Sequence, residues 1–235
     1  MKTFLASAII LLLGSGCAMI CITATGPVET RTLQVAPFTG IDVEGSAQVI
    51  VEKGDVQEIT VSGQKEVIDL LETKVSGGTW KIRTGKCWES DTTLVVHIVT
   101  PTALKSIDVS GSADVEAGNV FGTSGTELST SGSGSINVSE LNDKSLEISI
   151  SGSGSITVRG TCAKVEADIS GSGDLHAVDL AANEVSLDIS GSGKADVKAI
   201  SKLDASISGS GEVRYSGKPD VRSSISGSGS ITPLP

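Results

Sequence analysis

The tetrapeptide SGSG begins at residues 131, 151, 170, 190, 208 and 226, and SGSA begins at 110, so one corner-like signal recurs at spacings of 21, 20, 19, 20, 18 and 18 residues. A unit of about 20 residues buries its apolar side chains only by stacking on its neighbours, which is the physical basis of a solenoid. The residues around the corner say what kind. Just before it stand Val109, Thr130, Ile150, Ile169, Ile189, Ile207 and Ile225, and the second residue after it is Val115, Ile136, Ile156, Leu175, Ala195, Val213 or Ile231. Two further on come Ala117, Val138, Val158, Ala177, Val197, Tyr215 and Pro233, with mostly polar residues between. A period of two is strand rather than helix. The expected fold is all-β: a parallel β-helix, or β-solenoid, with coils about 4.8 Å apart.

Composition and charge agree with this stack. With 28 glycines and 3% aromatics, the interior has to be built from Val, Ile, Leu and Ala. Outward positions alternate in sign from coil to coil, Asp174, Lys194, Glu212 in one column and His176, Asp196, Arg214 in another, as favourable cross-strand pairs require. At the last coil Pro233 takes the place of Val158, withdrawing a backbone donor from the final edge. At the corners, glycine supplies φ > 0, and serine is short enough to stack, with its hydroxyls expected to bond from coil to coil.

The N-terminus, MKTFLASAIILLLGSGC, has one basic residue, an apolar run from Phe4 to Leu13, then small residues up to Cys17. That run is too short to span a bilayer, which takes ~20 residues as a helix, and reads as an export signal. Ser15 and Gly16 before Cys17 resemble a lipoprotein cleavage site, with Gly14 where leucine or valine is usual. The expectation is a signal at 1–16, a lipidated Cys17 and a tether at 17–27; cleavage between Ala18 and Thr25, releasing a soluble exported protein, is the alternative. Cys17 and Cys21 are assigned to this leader region, leaving Cys87 and Cys162 for the folded part, either as one disulfide or as two buried thiols.

Residues 28–105 are less regular and are expected to form an N-terminal β subdomain continuous with the solenoid of 106–235. "FTGIDVEGSAQVIVEKG" (38–54) echoes "LKSIDVSGSADVEAG" (104–118), "EITVSG" and "TWKIRTG" read as strands, and "KEVIDLLETKV" (65–75) as a helical or irregular excursion. This order of features resembles the head GIN domain family, whose members carry the label of auto-transporter adhesins, over about residues 29–235. The resemblance implies a right-handed single-stranded parallel β-helix of pectate-lyase-like shape in a bacterial envelope protein. It brings no catalytic or binding residues with it.

Formal net charge is −10, which disfavours a polyanionic partner and sets nucleic acid aside. A polysaccharide lyase or hydrolase would need clustered carboxylates. The one candidate column is Asp108, Ser129, Ser149, Asp168, Asp188, Ser206, Ser224, in which Asp168 and Asp188 fall on adjacent coils as a cation or ligand site. The ordinary reading is a solvated pair of surface carboxylates. A calcium ladder is ruled out, because the residue after the corner is Asp114, Ser135, Ser155, Asp174, Lys194, Glu212 or Ser230, with a lysine in its midst. His97 and His176 lie in strand patterns without a triad context, and the Gly/Ser runs lack the lysine of a phosphate loop. Trp88, in "GKCWESD" (85–91), is the one candidate aromatic anchor for a sugar, its ordinary reading being a ring folded back onto the solenoid end.

The expected product is therefore a non-enzymatic envelope β-solenoid without cofactor or metal, held to the outer membrane by a lipid and acting as an adhesin or surface interaction module on a glycan or an envelope protein. A glycan-active β-helix of polysaccharide-lyase type and a purely structural envelope component are the alternatives.

Overall fold

The computed structural model describes residues 21–234; the signal at 1–16 and Cys17 lie outside the described residues. Long strands run Ser135–Gly152, Ser155–Gly171, Asp174–Gly191 and Lys194–Gly209, each starting just past one corner and ending in the next. All of them pair in parallel. The register is that of the repeat: Ile150, Ile169, Ile189 and Ile207 form one inward column, and Ile156, Leu175, Ala195 and Val213 another. These residues are buried, and the interior is a packed aliphatic stack. The fold is a parallel β-solenoid.

Spacings of 18 to 21 residues fit one stack because the surplus is absorbed away from the SGSG corner. Register breaks fall between Val138 and Leu141, between Thr157 and Gly160, and between Ala177 and Ala181, where the long strands bend. The SGSG corner itself never slips. Ser133 N donates to Gly111 O, Ser153 N to Gly132 O, Ser172 N to Gly152 O and Ser192 N to Gly171 O, each at 2.8 Å. These bonds are main-chain. The serine hydroxyls of these corners make no hydrogen bond among the described residues, which corrects the expected hydroxyl column: the backbone already joins the coils there, and the short side chains point to solvent.

The two corner glycines are needed for different reasons. Gly152 has φ +111°, and a Cβ on it would come within 2.7 Å of Gly132 O. Gly154 has no such φ, yet its Cβ would lie 2.6 Å from the Thr130 hydroxyl and 2.8 Å from Gly134 O. The first is a conformational and steric requirement, the second purely steric.

Before residue 106 the order in the stack departs from the order in the chain. The coil of Gly40–Gly45 and Gln48–Lys53 pairs in parallel with Ser106–Gly111 and Asp114–Ala117 on one side. On its other side lie Thr79–Ile82 and Val95–Thr100. The chain thus adds a coil below its first one before returning to build upward. Glu58–Gln64, antiparallel to Val95–Thr100, and Val28–Thr32, antiparallel to Glu58–Gln64, close that end. The excursion after residue 64 is a single helical turn, Lys65–Ile68. Phe38 and Trp80, with ring centroids 5.6 Å apart, plug the base, and the Trp80 indole N–H donates to Glu72 O. At the far end the last strands, Asp220–Gly227 and Ser230–Pro233, are largely exposed. Pro233 pairs with Tyr215, and Leu234 N, not residue 233, donates back to Tyr215 O; the missing donor of Pro233 is the one that would face outward.

Cys21 forms a disulfide with Cys87, with Cα atoms 4.6 Å apart, and Cys162 is buried with a free thiol. This corrects the assignment of Cys21 to the leader. Within the stretch expected as a tether, Ile22–Thr23 pairs in parallel with Trp88–Glu89, so the chain is pinned to the solenoid base from residue 21 on. Closing a loop of 66 residues is worth about 4 kcal/mol in the chain-entropy treatment of disulfides.

Gly45 begins the corner ladder, and although its φ is +94° a Cβ there would meet nothing within 4 Å. Gly152→Ala is therefore expected to lower stability by more than ~2 kcal/mol, and Gly45→Ala by only ~1 kcal/mol; equal losses in urea melts would contradict the stacking account. Thr130 places a buried hydroxyl without a partner in the aliphatic column, so Thr130→Val should raise stability by ~1 kcal/mol, or about 2–4 °C in melting temperature.

Candidate functional site

With the interior filled, chemistry has to be sought on the outside. The strand face that leads into the corners carries stacked carboxylates. Glu127, Glu147 and Glu166 are stacked in register on successive coils, as are Asp42 and Asp108, and Asp168 and Asp188. Like charges in directly paired positions repel. Partial relief comes from lysines at the margins: Lys81 sits 2.8 Å from Asp42, Lys164 pairs with Glu166, and Lys202 lies 2.5 Å from Asp204.

Asp168 and Asp188 are thus neighbours, as the repeat places them. Two shallow depressions border them. One of about 210 Å³ holds both carboxylates among Ser170, Ser190, Ser206 and Ser208. The other, about 280 Å³, has Asp188, Asp204 and Arg222 on its rim. Among the described residues no three His, Cys, Asp or Glu side chains are grouped so as to hold a metal ion. A wider groove of about 470 Å³ lies on the same face nearer the base, where Lys105 and Lys164 face Glu127, Glu147 and Glu166.

The most buried carboxylate, Asp143, is structural. It accepts bonds from Gly125 N at 3.0 Å, Lys144 N at 2.6 Å and the Thr126 hydroxyl at 2.7 Å, and so fastens the bend to the coil before it. Burial pushes the Cys162 thiol pKa up, which keeps it protonated and unreactive. His97 bonds to Glu52 at 3.0 Å, and His176 stands 3.9 Å from Asp196. Asp196 is held chiefly by Arg214 through two bonds of 2.7 and 2.6 Å. Both histidines face carboxylates of a neighbouring coil rather than a nucleophile.

Trp88 lies in the loop that precedes Val95–Thr100. It is half-buried, packs on the core, and its indole N–H donates to the Thr84 hydroxyl at 3.0 Å. Its remaining surface borders a cleft of about 530 Å³ that also includes Gln48, Asp91 and Asp114. The sequence shows Trp88 but not this company. Residues 46–48 and 112–114 reach it because the corners at Gly45 and Gly111 are stacked; the repeated "GSA" at 45–47 and 111–113 is the signal for that juxtaposition. Cys21, which fixes the loop through Cys87, has no local signal, since it sits beside an export leader.

Burial, followed by the charges of Asp42 and Glu127, raises the Asp108 pKa above the ordinary carboxylate value. A carboxyl that binds its proton more tightly in the folded state contributes stability fully below its unfolded pKa and loses it as pH rises through the folded one. Asp108→Asn should accordingly melt higher than the parent at pH 7 and no differently at pH 3. A lower melting temperature at pH 7 would reverse the sign and refute the repulsion.

The model of the family described as "Putative auto-transporter adhesin, head GIN domain" matches residues 37–219. Among solved structures, a "putative adhesin" from Bacteroides fragilis superposes with a TM-score of 0.84 at 23% identity, covering 91% of this chain and 100% of that one. A "putative lipid binding protein" from Parabacteroides distasonis gives 0.72 at 26% identity over 92% of this chain and 100% of its own. A "putative adhesin" from the same organism gives 0.71 at 25% identity, with the same coverage. No curated protein matches the chain.

Proposed function

Because the chain belongs to the head GIN domain family, its family model spanning residues 37–219, we propose that it is a non-enzymatic surface interaction module of the bacterial envelope, anchored by a lipid on Cys17. The observation that carries this reading is the filled coil. Its inward columns are buried and, Thr130 apart, aliphatic until the last coil, so a ligand has only the outer faces and the loop at the base to engage. A solenoid of this kind offers long flat faces instead of a central pocket.

One similar structure is named a "putative lipid binding protein"; here the packed interior leaves an acyl chain no room inside. The lyase alternative has Asp168 and Asp188 on adjacent coils, with Asp188 beside Asp204 and Arg222, but a polyuronate would approach a face of stacked carboxylates and be repelled. A polyuronate lyase assay with added Ca²⁺ is expected to show no cleavage.

The anchor and the disulfide act together. Cys21 follows Cys17 by four positions, a reach of at most ~14 Å, so a lipid on Cys17 holds the Cys87 loop close to the bilayer. Radiolabelled palmitate is expected to enter the parent protein and not Cys17→Ala. Equal labelling of both would refute the anchor.

A further inference from the structure

We infer that the cleft beside Trp88 is a binding site for a neutral or amino-sugar glycan, an assignment that rests on the interaction-module reading above and gives it a ligand class. Four observations converge. The cleft, about 530 Å³, lies within the range of small-molecule sites and is the one place where a partly exposed tryptophan borders a cavity among the described residues. Apart from Ala47 the rest of its lining is polar: Gln48, Asp91, Asp114, Ser46 and Ser112 bring amide, carboxylate and hydroxyl groups to one opening. Several of these groups are unused. The side chains of Gln48, Asp91, Ser46 and Ser112 make no hydrogen bond among the described residues. Asp114 accepts one from the Ser135 hydroxyl through a single oxygen, at 2.5 Å.

The chemistry of that set is selective. A pyranose presents a C–H face that packs on an indole and an edge of hydroxyls that both donate and accept, which amide and carboxylate groups satisfy together. With two carboxylates and no Lys, Arg or His in the lining, an acidic sugar is repelled, while an uncharged or amino sugar is accommodated. The wall is also held in place. The Cys21–Cys87 bond precedes Trp88 directly, Ile22 pairs with Trp88, and the indole N–H is fixed to Thr84, so little ordering is left to be done on binding.

The test is a titration of the protein by calorimetry and by the change in tryptophan emission, which reports Trp88 because Trp80 is fully buried and out of a ligand's reach. The probes are chitotriose, maltotriose, tri-galacturonate and a lysine-rich peptide. Saturable binding of chitotriose or maltotriose is expected, weakened at least about tenfold by Trp88→Ala and several-fold by Asp91→Asn or Gln48→Ala, with tri-galacturonate silent. Trp88→Phe should retain part of the affinity, and Asp91→Asn should melt as the parent does, which separates lost contact from lost fold. Binding of the peptide alone, preference for tri-galacturonate, or no response to any probe overturns the proposal. Sugar binding untouched by Trp88→Ala overturns the site while leaving the interaction-module reading intact; failure of palmitate labelling, read separately, counts against the anchored module and not against the cleft.

Discussion

Everything in this molecule depends on the approach of one coil's backbone to the next at the Ser-Gly corner. There the Ser N–H meets the glycine carbonyl of the preceding coil at 2.8 Å, time after time, and any Cβ on the first glycine would occupy the space of that carbonyl. A parallel ladder unbroken through a turn is possible only with residues that have no side chain to interpose. The corner is thus the point of fixed register from which the rest of each coil is measured.

With that point fixed, length variation has to go elsewhere, and it goes to the bend opposite. Gly160 shows how: it has φ +128°, stands in register with Leu141, and a Cβ on it would collide with the Leu141 main chain, so the backbones approach at the bend as closely as at the corner. Asp143 then fastens the bend with three hydrogen bonds. The interior tolerates exchange of Ile, Leu, Val and Ala along a column because the column is continuous, and neighbouring layers share the space. Function is pushed outward by the same packing. A filled stack leaves the strand faces and the base loop as the places where a partner can be met.

The base differs in kind from the stack. Its strands are partly antiparallel, its aromatics are concentrated there, and its loop is held by a disulfide. This end closes the sheet, and it also brings together the half-buried tryptophan and an open polar cleft. The two ends therefore have separate tasks: a closed base with chemical variety, and a far end whose strands finish at Pro233.

The sequence by itself determined the solenoid, the inward columns, the adjacency of Asp168 and Asp188, and the place of Pro233 opposite Tyr215, because a period near 20 with alternation of two leaves only one register in which apolar residues face inward. It could not determine what depends on contacts between unlike segments. The pairing of Cys21 with Cys87, the insertion of residues 79–100 below the coil of residues 40–53, and the meeting of Trp88 with Gln48, Asp91 and Asp114 were decided by the tertiary structure. Repetition encodes position along a stack, since each unit states its neighbour's place; a loop that folds back across the base has no repeat to state where it lands.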